Sequence, residues 1–311
     1  MFKYVLLLVT IVFIVFTYST FNSNKTIVYS KIYINSSIDF KLEQEFNNIW
    51  REIFEKKSFE DSVILMKTLK FMVKEVDEYD TELIDFVKSL IKPPSKQSLK
   101  LQNKNAHDYS QFGQSNYMNG LMNNKKNGFF IESGAHDGES LSNSLFFEKN
   151  LNWTGLLIEP LSDSFNKLMT KNRNVFALNA CIAKKKPFIA KFRIANVFSG
   201  RQDQMNQDQA NYINQHVDKN VRNEYIPCFS LNTILQALGI SKIDMFSLDI
   251  EGGEWDVIES INYNKFNIGL FCIEWFHLKE NKQKVSNHLT KNGYKFVSEK
   301  DIDYYFQKII D

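Results

Sequence analysis

The chain has 311 residues, 43% of them hydrophobic, which is enough for one large buried core with an appendage. Its 38 Lys and Arg nearly balance its 36 Asp and Glu. No strong overall field therefore argues for nucleic acid or an acidic polymer, and nucleic acid is excluded from the expected partners. Behind Met1-Phe2-Lys3 lies an almost unbroken apolar run, and Lys3 is the sole charge before Lys25. Counted to residue 21, the run reaches the lower end of the ~17–25 residues that cross a bilayer. Residues 1–21 are read as a signal anchor, with the membrane as a partner through this N-terminal helix. That makes the chain a single-pass type II protein whose C-terminal domain faces the lumen of the endoplasmic reticulum or Golgi. A cleaved signal peptide and a secreted product are the alternative, because the small residues Thr17 and Ser19 also suit cleavage. Asn24, Asn35 and Asn152 each open an Asn-x-Ser/Thr glycosylation sequon, in keeping with that route. Of the three cysteines, Cys181 and Cys228 are the expected bridge and Cys272 the odd thiol; three separate buried thiols are the alternative.

Between residues 38 and 92 apolar side chains recur at helical spacing: Phe46, Ile49, Trp50 and Ile53, then Met66, Leu69 and Val73, then Leu83, Phe86, Val87 and Leu90. Residues 22–94 thus read as a lumenal stalk with a small helical region, closed by Pro93-Pro94. Residues 95–109 are polar, lack either period and read as a linker. From residue 127 onward short apolar runs alternate with helical segments. Strands are predicted at 128–131, 155–158, 174–178, 243–248 and 268–273, with helices at 162–171, 231–238 and 255–261. A hairpin at 294–297 and 304–309 closes the chain around an acidic turn, 299–303. The pattern predicts an α/β domain over 110–311 with a mainly parallel seven-strand sheet covered on both faces.

In such sheets ligands dock beyond the carboxyl ends of the strands. The first strand runs into Glu132-Ser133-Gly134-Ala135-His136-Asp137-Gly138, where Gly134, Ala135 and Gly138 let backbone approach a ligand. The spacing is not the dinucleotide G-x-G-x-x-G, and Glu132 and Asp137 would repel a pyrophosphate. A cation is favoured instead, and a sulfonium with an amino-acid ammonium meets the demand. Glu159 ends the second strand 25 positions beyond Gly134, near the offset at which an acidic residue receives ribose hydroxyls. Asn179 ends the third strand, where an adenine edge is expected. The fourth strand delivers Asp249 and Glu251, with Glu254 one turn on. Asp249 and Glu251 are the candidate catalytic carboxylates, able to orient an acceptor or take its proton; helix capping is the structural reading of Glu254. His136 and His277 lie near strand ends and are assigned no catalytic role. Asp301-Ile302-Asp303 has the spacing of a nucleotide-sugar transferase's metal motif but falls in the predicted hairpin turn.

Taken in order, Ser110–Gln114, the run from Gly128 to Asn143, Trp153–Pro160, Asn179–Cys181, Pro227-Cys228 and Ser247–Glu254 resemble the FkbM-like methyltransferase domain, and within it the branch containing the insect protein Star. The resemblance covers residues 110–297. It implies a Rossmann-like class I S-adenosylmethionine-dependent methyltransferase fold. The cofactor's methionine part would lie at 132–138, its ribose on Glu159 and Asp249 nearby. Members of the family usually carry a Lys two residues before the fourth-strand Asp, where this chain has Ser247. Two functions follow. One is O-methyl transfer from S-adenosylmethionine to a glycan or small-molecule hydroxyl acceptor in the secretory pathway. The other is a Star-like, catalytically weak or inactive membrane protein that assists export of transmembrane growth-factor cargo from the endoplasmic reticulum to the Golgi.

Overall fold

The structure is a computed structural model. It describes residues 58–195, 199–205, 221–275 and 281–309, together with the single positions 49, 211, 213 and 215. The expected anchor, Asn24, Asn35 and His277 lie outside the described residues. No helix among the described residues is long and apolar enough to cross a membrane. The chain divides into two compact units, Met1–Glu75 and Val76–Asp311. In the first, helix α1 (Phe59–Val73) starts at Ser58, whose hydroxyl accepts the Asp61 N–H, and buries Leu65, Leu69 and Phe71.

The second unit begins with α2 (Thr81–Leu90), capped by Asp80 accepting from the Leu83 N–H at 2.9 Å. Expected as part of a stalk, α2 belongs to the larger unit. It packs on α6 (Leu231–Leu238), and Phe86 meets Phe229 edge-on at 6.0 Å. The Glu78 carbonyl accepts from the Thr233 hydroxyl and its carboxylate from the Asn232 amide. Lys92 then pairs with Ala177 and covers the free edge of the sheet. The stretch 95–109, expected as a linker, is also fastened down. Gln102 and Asn103 donate their N–H groups to Glu139, at 2.9 and 2.7 Å, while Leu101 and Tyr109 are buried with Leu145.

The main sheet contains β1 (Phe129–Ser133), β2 (Thr154–Ile158), β3 (Phe176–Leu178), β8 (Lys242–Leu248), β9 (Asn267–Glu274), β10 (Tyr294–Lys300) and β11 (Asp303–Lys308). Their order is β10-β11-β9-β8-β1-β2-β3; β11 runs antiparallel to both neighbours, and the pairs among β3, β2, β1, β8 and β9 are parallel. The seven strands foreseen from the apolar runs are present. Helices α3 (Gln114–Leu121), α4 (Leu145–Leu151), α5 (Ser162–Met169), α7 (Glu254–Ser260) and α8 (Lys282–Lys291) complete the elements. Gly155 sits where a Cβ would collide with the Phe130 ring at 2.4 Å, so the β1–β2 pair packs tightly around that phenylalanine. Asn152 is exposed in a left-handed cap of α4, its amide donating to Asn127.

A second sheet was not foreseen. β4 (Cys181–Ala183), β5 (Phe188–Ile194), β6 (Gly200–Arg201) and β7 (Arg222–Ser230) associate in the order β4-β7-β5-β6. Cys181 and Cys228 face each other in the β4–β7 register and are joined by a disulfide, with Cα atoms 4.4 Å apart. Cys272 is free and buried.

Candidate functional site

The chain passes from β1 outward to β2 and β3, then returns across the sheet to β8. Strand order therefore reverses between β1 and β8, and in open α/β sheets such a switch point is where a ligand is expected beyond the strand ends.

One wall is the turn after β1, where Gly134, His136 and Gly138 all have positive φ, at 86°, 48° and 75°. A Cβ on Gly134 would stand 1.9 Å from the Asp249 carbonyl oxygen. Only glycine lets the β1 turn come this near the β8 turn, and the Asp249 N–H donates to the Ser133 carbonyl across that approach. The Gly134 and Ala135 N–H groups both meet the Ile158 carbonyl of β2. Gly138 has a different role, since its Cβ would press on Leu168 of α5 at 2.9 Å. His136 accepts a left-handed backbone at a cost of about 1–2 kcal/mol. In return, its N–H donates to Glu159 Oε2 at 2.8 Å.

Glu159, immediately beyond β2, is buried, and its other oxygen accepts the Leu161 N–H at 2.8 Å. Burial pushes its pKa up to about 8, against the pull of those two N–H groups. Asn179 donates its amide to the Glu159 and Pro160 carbonyls and so holds the turn that carries the carboxylate. Sequence reasoning placed Asn179 against a ligand edge; the bonds it makes are to this turn.

Glu132 and Asp137, expected to face a ligand's positive charge, are instead occupied by protein donors. Glu132 accepts from the Asn143 N–H and from the hydroxyls of Ser142 and Ser144, with Arg173 close by. Burial lifts its pKa and Arg173 opposes the lift. Asp137 closes its own turn through the N–H groups of Glu139 and Ser140. Burial raises its pKa, but these bonds outweigh that and leave it lowered. Both residues shape the wall.

The opposite wall follows β8. Glu251 has φ 62° and, with Gly252, forms the turn into α7. Glu254 is fully buried and accepts the N–H groups of Ile250 and Gly252, so it braces the turn ahead of α7; the helix capping foreseen for it is not what it does, since the N-cap position is Gly253 and no side chain caps α7. Asp249 lies half-buried at the strand end, its carboxylate taking no hydrogen bond or ion pair from the described residues. Burial and the neighbouring Glu251, Glu254 and Asp303 raise its pKa well above the usual range.

The register aligns residues of separate strands and adds two, Glu274 and Tyr305, that sequence reasoning missed. Glu132, Ser247, Cys272 and Tyr305 form one row across four strands, and Glu274 and Asp303 pair in the next. Gln114 of α3 donates to Asp303 at 3.0 Å, and the Asn143 amide donates to the Ser247 hydroxyl at 3.0 Å. Glu274 directly follows a predicted strand, a signal that was available. Asp303 had been placed in a turn, but β10 and β11 extend further than their apolar cores and make it the first residue of β11. Among the described residues no three His, Cys, Asp or Glu side chains converge as a metal site.

This topology defines a Rossmann-like α/β protein with a candidate ligand site at the β1/β8 switch point. The profile of the methyltransferase FkbM domain matches residues 132–305, more than half of the chain, and the chain belongs to that family. Among solved structures it is similar to the FkbM methyltransferase of Methylobacillus flagellatus, at 12% identity and a TM-score of 0.38, over 86% of this chain and 60% of that one. A methyltransferase from Pyrococcus furiosus shares 13% identity at a TM-score of 0.34, over 63% and 82% of the two chains. Fibrillarin of Aeropyrum pernix, solved with S-adenosylmethionine natively bound, shares 10% identity at a TM-score of 0.29, over 59% and 66%. No curated protein matches the chain.

Proposed function

We propose that the chain is an S-adenosylmethionine-dependent methyltransferase acting on a hydroxyl acceptor, a glycan or similar polyol, in the secretory pathway. The observation that carries this reading is Glu159. Its carboxylate is buried beyond β2, and each oxygen is oriented by one backbone N–H. An ionised carboxylate has about four acceptor sites. Two remain to receive the two hydroxyls of a ribose, and the close approach at Gly134 leaves no side chain in the way.

When bound, S-adenosylmethionine supplies an electrophilic methyl group on sulfur. The chain's own contribution is orientation and proton handling, and alignment accounts for most of the acceleration in such transfers. Asp249, raised in pKa and without a protein donor, is placed to accept the acceptor's hydroxyl proton. Ser247, where the family usually has Lys, receives the Asn143 amide and leaves this part of the site without a lysine charge. The apolar N-terminal run and the Cys181–Cys228 bridge support an oxidising, lumenal placement.

Calorimetric titration of the full-length chain with S-adenosylmethionine tests the proposal. Micromolar binding is expected, weakened at least tenfold in Glu159→Ala. Absence of binding by a folded protein would defeat the enzyme reading and favour cargo export without chemistry.

A further inference from the structure

The second sheet reaches the turn that follows β8. Behind β6 the chain reverses at 201–205, where the Gln204 and Met205 N–H groups both donate to the Arg201 carbonyl at 3.1 Å. The Arg201 guanidinium pairs with Asp203 and lies over the Phe188 ring at 4.7 Å, which fastens the turn to β5. Its tip rests on the chain between β8 and α7. A Cβ on Gly252 would meet the Gln204 carbonyl oxygen at 3.3 Å, and one on Gly253 would meet the Gln204 Oε1 at 2.8 Å. A Cβ on Gly200 would stand 3.4 Å from the Glu251 Cβ. Bare backbone at these points lets the two turns touch.

Gln204 is also tied to α7. Its Nε2 donates to Asp256 Oδ2 at 3.3 Å, while its buried Oε1 has no hydrogen-bond partner among the described residues. A buried acceptor without a donor is a cost, so close contact with Gly253 and not hydrogen bonding seats this end of the side chain. Lys184, next after β4, pairs with the other Asp256 oxygen at 3.6 Å and with Glu259. The second sheet therefore grips α7 from both of its outer strands, β4 and β6.

The turn held in this way is strained. Glu251 and Gly252 have successive positive φ, 62° and 122°. Such backbone persists only where its surroundings fix it. Glu254 braces it from α7 and Gln204 from the second sheet. Just before it, the Asp249 N–H donates to the Ser133 carbonyl at 3.2 Å and the Asp249 carbonyl lies against Gly134. A shift of the turn is thus passed to Asp249 and to the turn after β1.

We infer that Gln204 is a positioning residue: seated on Gly252 and Gly253 and tied to Asp256, it fixes the 250–253 turn and, through it, the placement of Asp249 against the β1 turn. This deepens the methyltransferase reading and rests on it for the ligand. The full-length chain and its Gln204→Ala variant are compared by hydrogen exchange with mass spectrometry and by calorimetric titration with S-adenosylhomocysteine. Exchange within 249–253 should quicken about tenfold or more in the variant while β2 and β9 keep wild-type rates, because the opening is local. Affinity should fall about fivefold or more with little change in melting temperature, since small misplacements at a site are costly. Gln204→Glu, which turns a carboxylate toward Asp256, should have the same effect, and adding Asp256→Asn should restore both readouts.

Unchanged exchange at 249–253, faster exchange spread over the whole unit, a local opening that leaves affinity intact, or failure of Asp256→Asn to rescue overturns the inference. If Gln204→Ala does not fold, the Gln204→Glu and Asp256→Asn variants are read alone. Failure of S-adenosylhomocysteine to bind the wild type counts against the methyltransferase reading instead, and exchange by itself then decides whether Gln204 fixes the turn.

Discussion

Glu159 ties the stability of the unit to its candidate ligand site. Unfolded, its carboxyl titrates near 4.5; folded, burial moves it to about 8. Between those values the folded state holds a proton that the unfolded chain releases. The contribution is therefore full below about pH 4.5 and is lost as pH rises through 8. Wild-type melting temperature should fall over that interval more steeply than that of Glu159→Gln, and equal slopes would show that this carboxyl is not raised. Under the proposed function, S-adenosylmethionine affinity should also rise from pH 6 toward 8.5 as the carboxylate ionises to receive hydroxyls. Gly134 is the other decisive residue. Its Cβ would strike a backbone carbonyl at 1.9 Å, whereas the Cβ of Gly138 would meet the movable Leu168 side chain at 2.9 Å. Both glycines have positive φ, so Gly134→Ala should lose more stability in urea titration, by about 2 kcal/mol or more. The reverse order would mean that the β1 and β8 turns are not this close.

The second sheet depends on a short parallel contact. β4 has three residues, and its pairing with β7 is crossed by Cys181–Cys228, which closes a loop of 47 residues. A loop of that length limits the unfolded chain by an amount equivalent to about 4 kcal/mol in the chain-entropy account, with strain and residual structure reducing the yield. Cys181→Ser/Cys228→Ser, or reduction, should lower the urea midpoint, corresponding to a loss of about 2–4 kcal/mol in unfolding free energy. An unchanged midpoint would assign the stability of this sheet to the Phe192, Ile226 and Ala190 cluster alone. The alternation of Phe188, Ala190 and Phe192 with Ile189, Lys191 and Arg193 carries a strand signal that the contrast with the longer apolar runs obscured.

At the scale of the whole molecule, the larger unit begins at Val76 and not where the family match does. Helix α2, the Lys92–Ala177 bridge and the Gln102 and Asn103 bonds to Glu139 all precede the motifs. A fragment 76–311 should therefore unfold in one cooperative transition, while 110–311 should be markedly less stable, with the α6 surface and the β3 edge uncovered. Comparable denaturation curves for the two would show that residues 76–109 are dispensable.

What the sequence by itself determined is the main sheet and the edge at which its strands end. Strands buried on both faces read as apolar runs whatever surrounds them, and Glu159 and Asp249 are found simply by where those runs end. Tertiary structure alone decided which carboxylates are committed to the scaffold and which remain for a ligand. Glu132 and Asp137 look like ligand residues in the chain, yet Asn143, Ser144 and Ser140 fold back onto them. Asp303 looks like a turn residue, yet strand pairing brings it against Glu274, far from it in sequence. Hydrogen-bond commitment and register depend on segments that meet only after folding, so no local pattern encodes them.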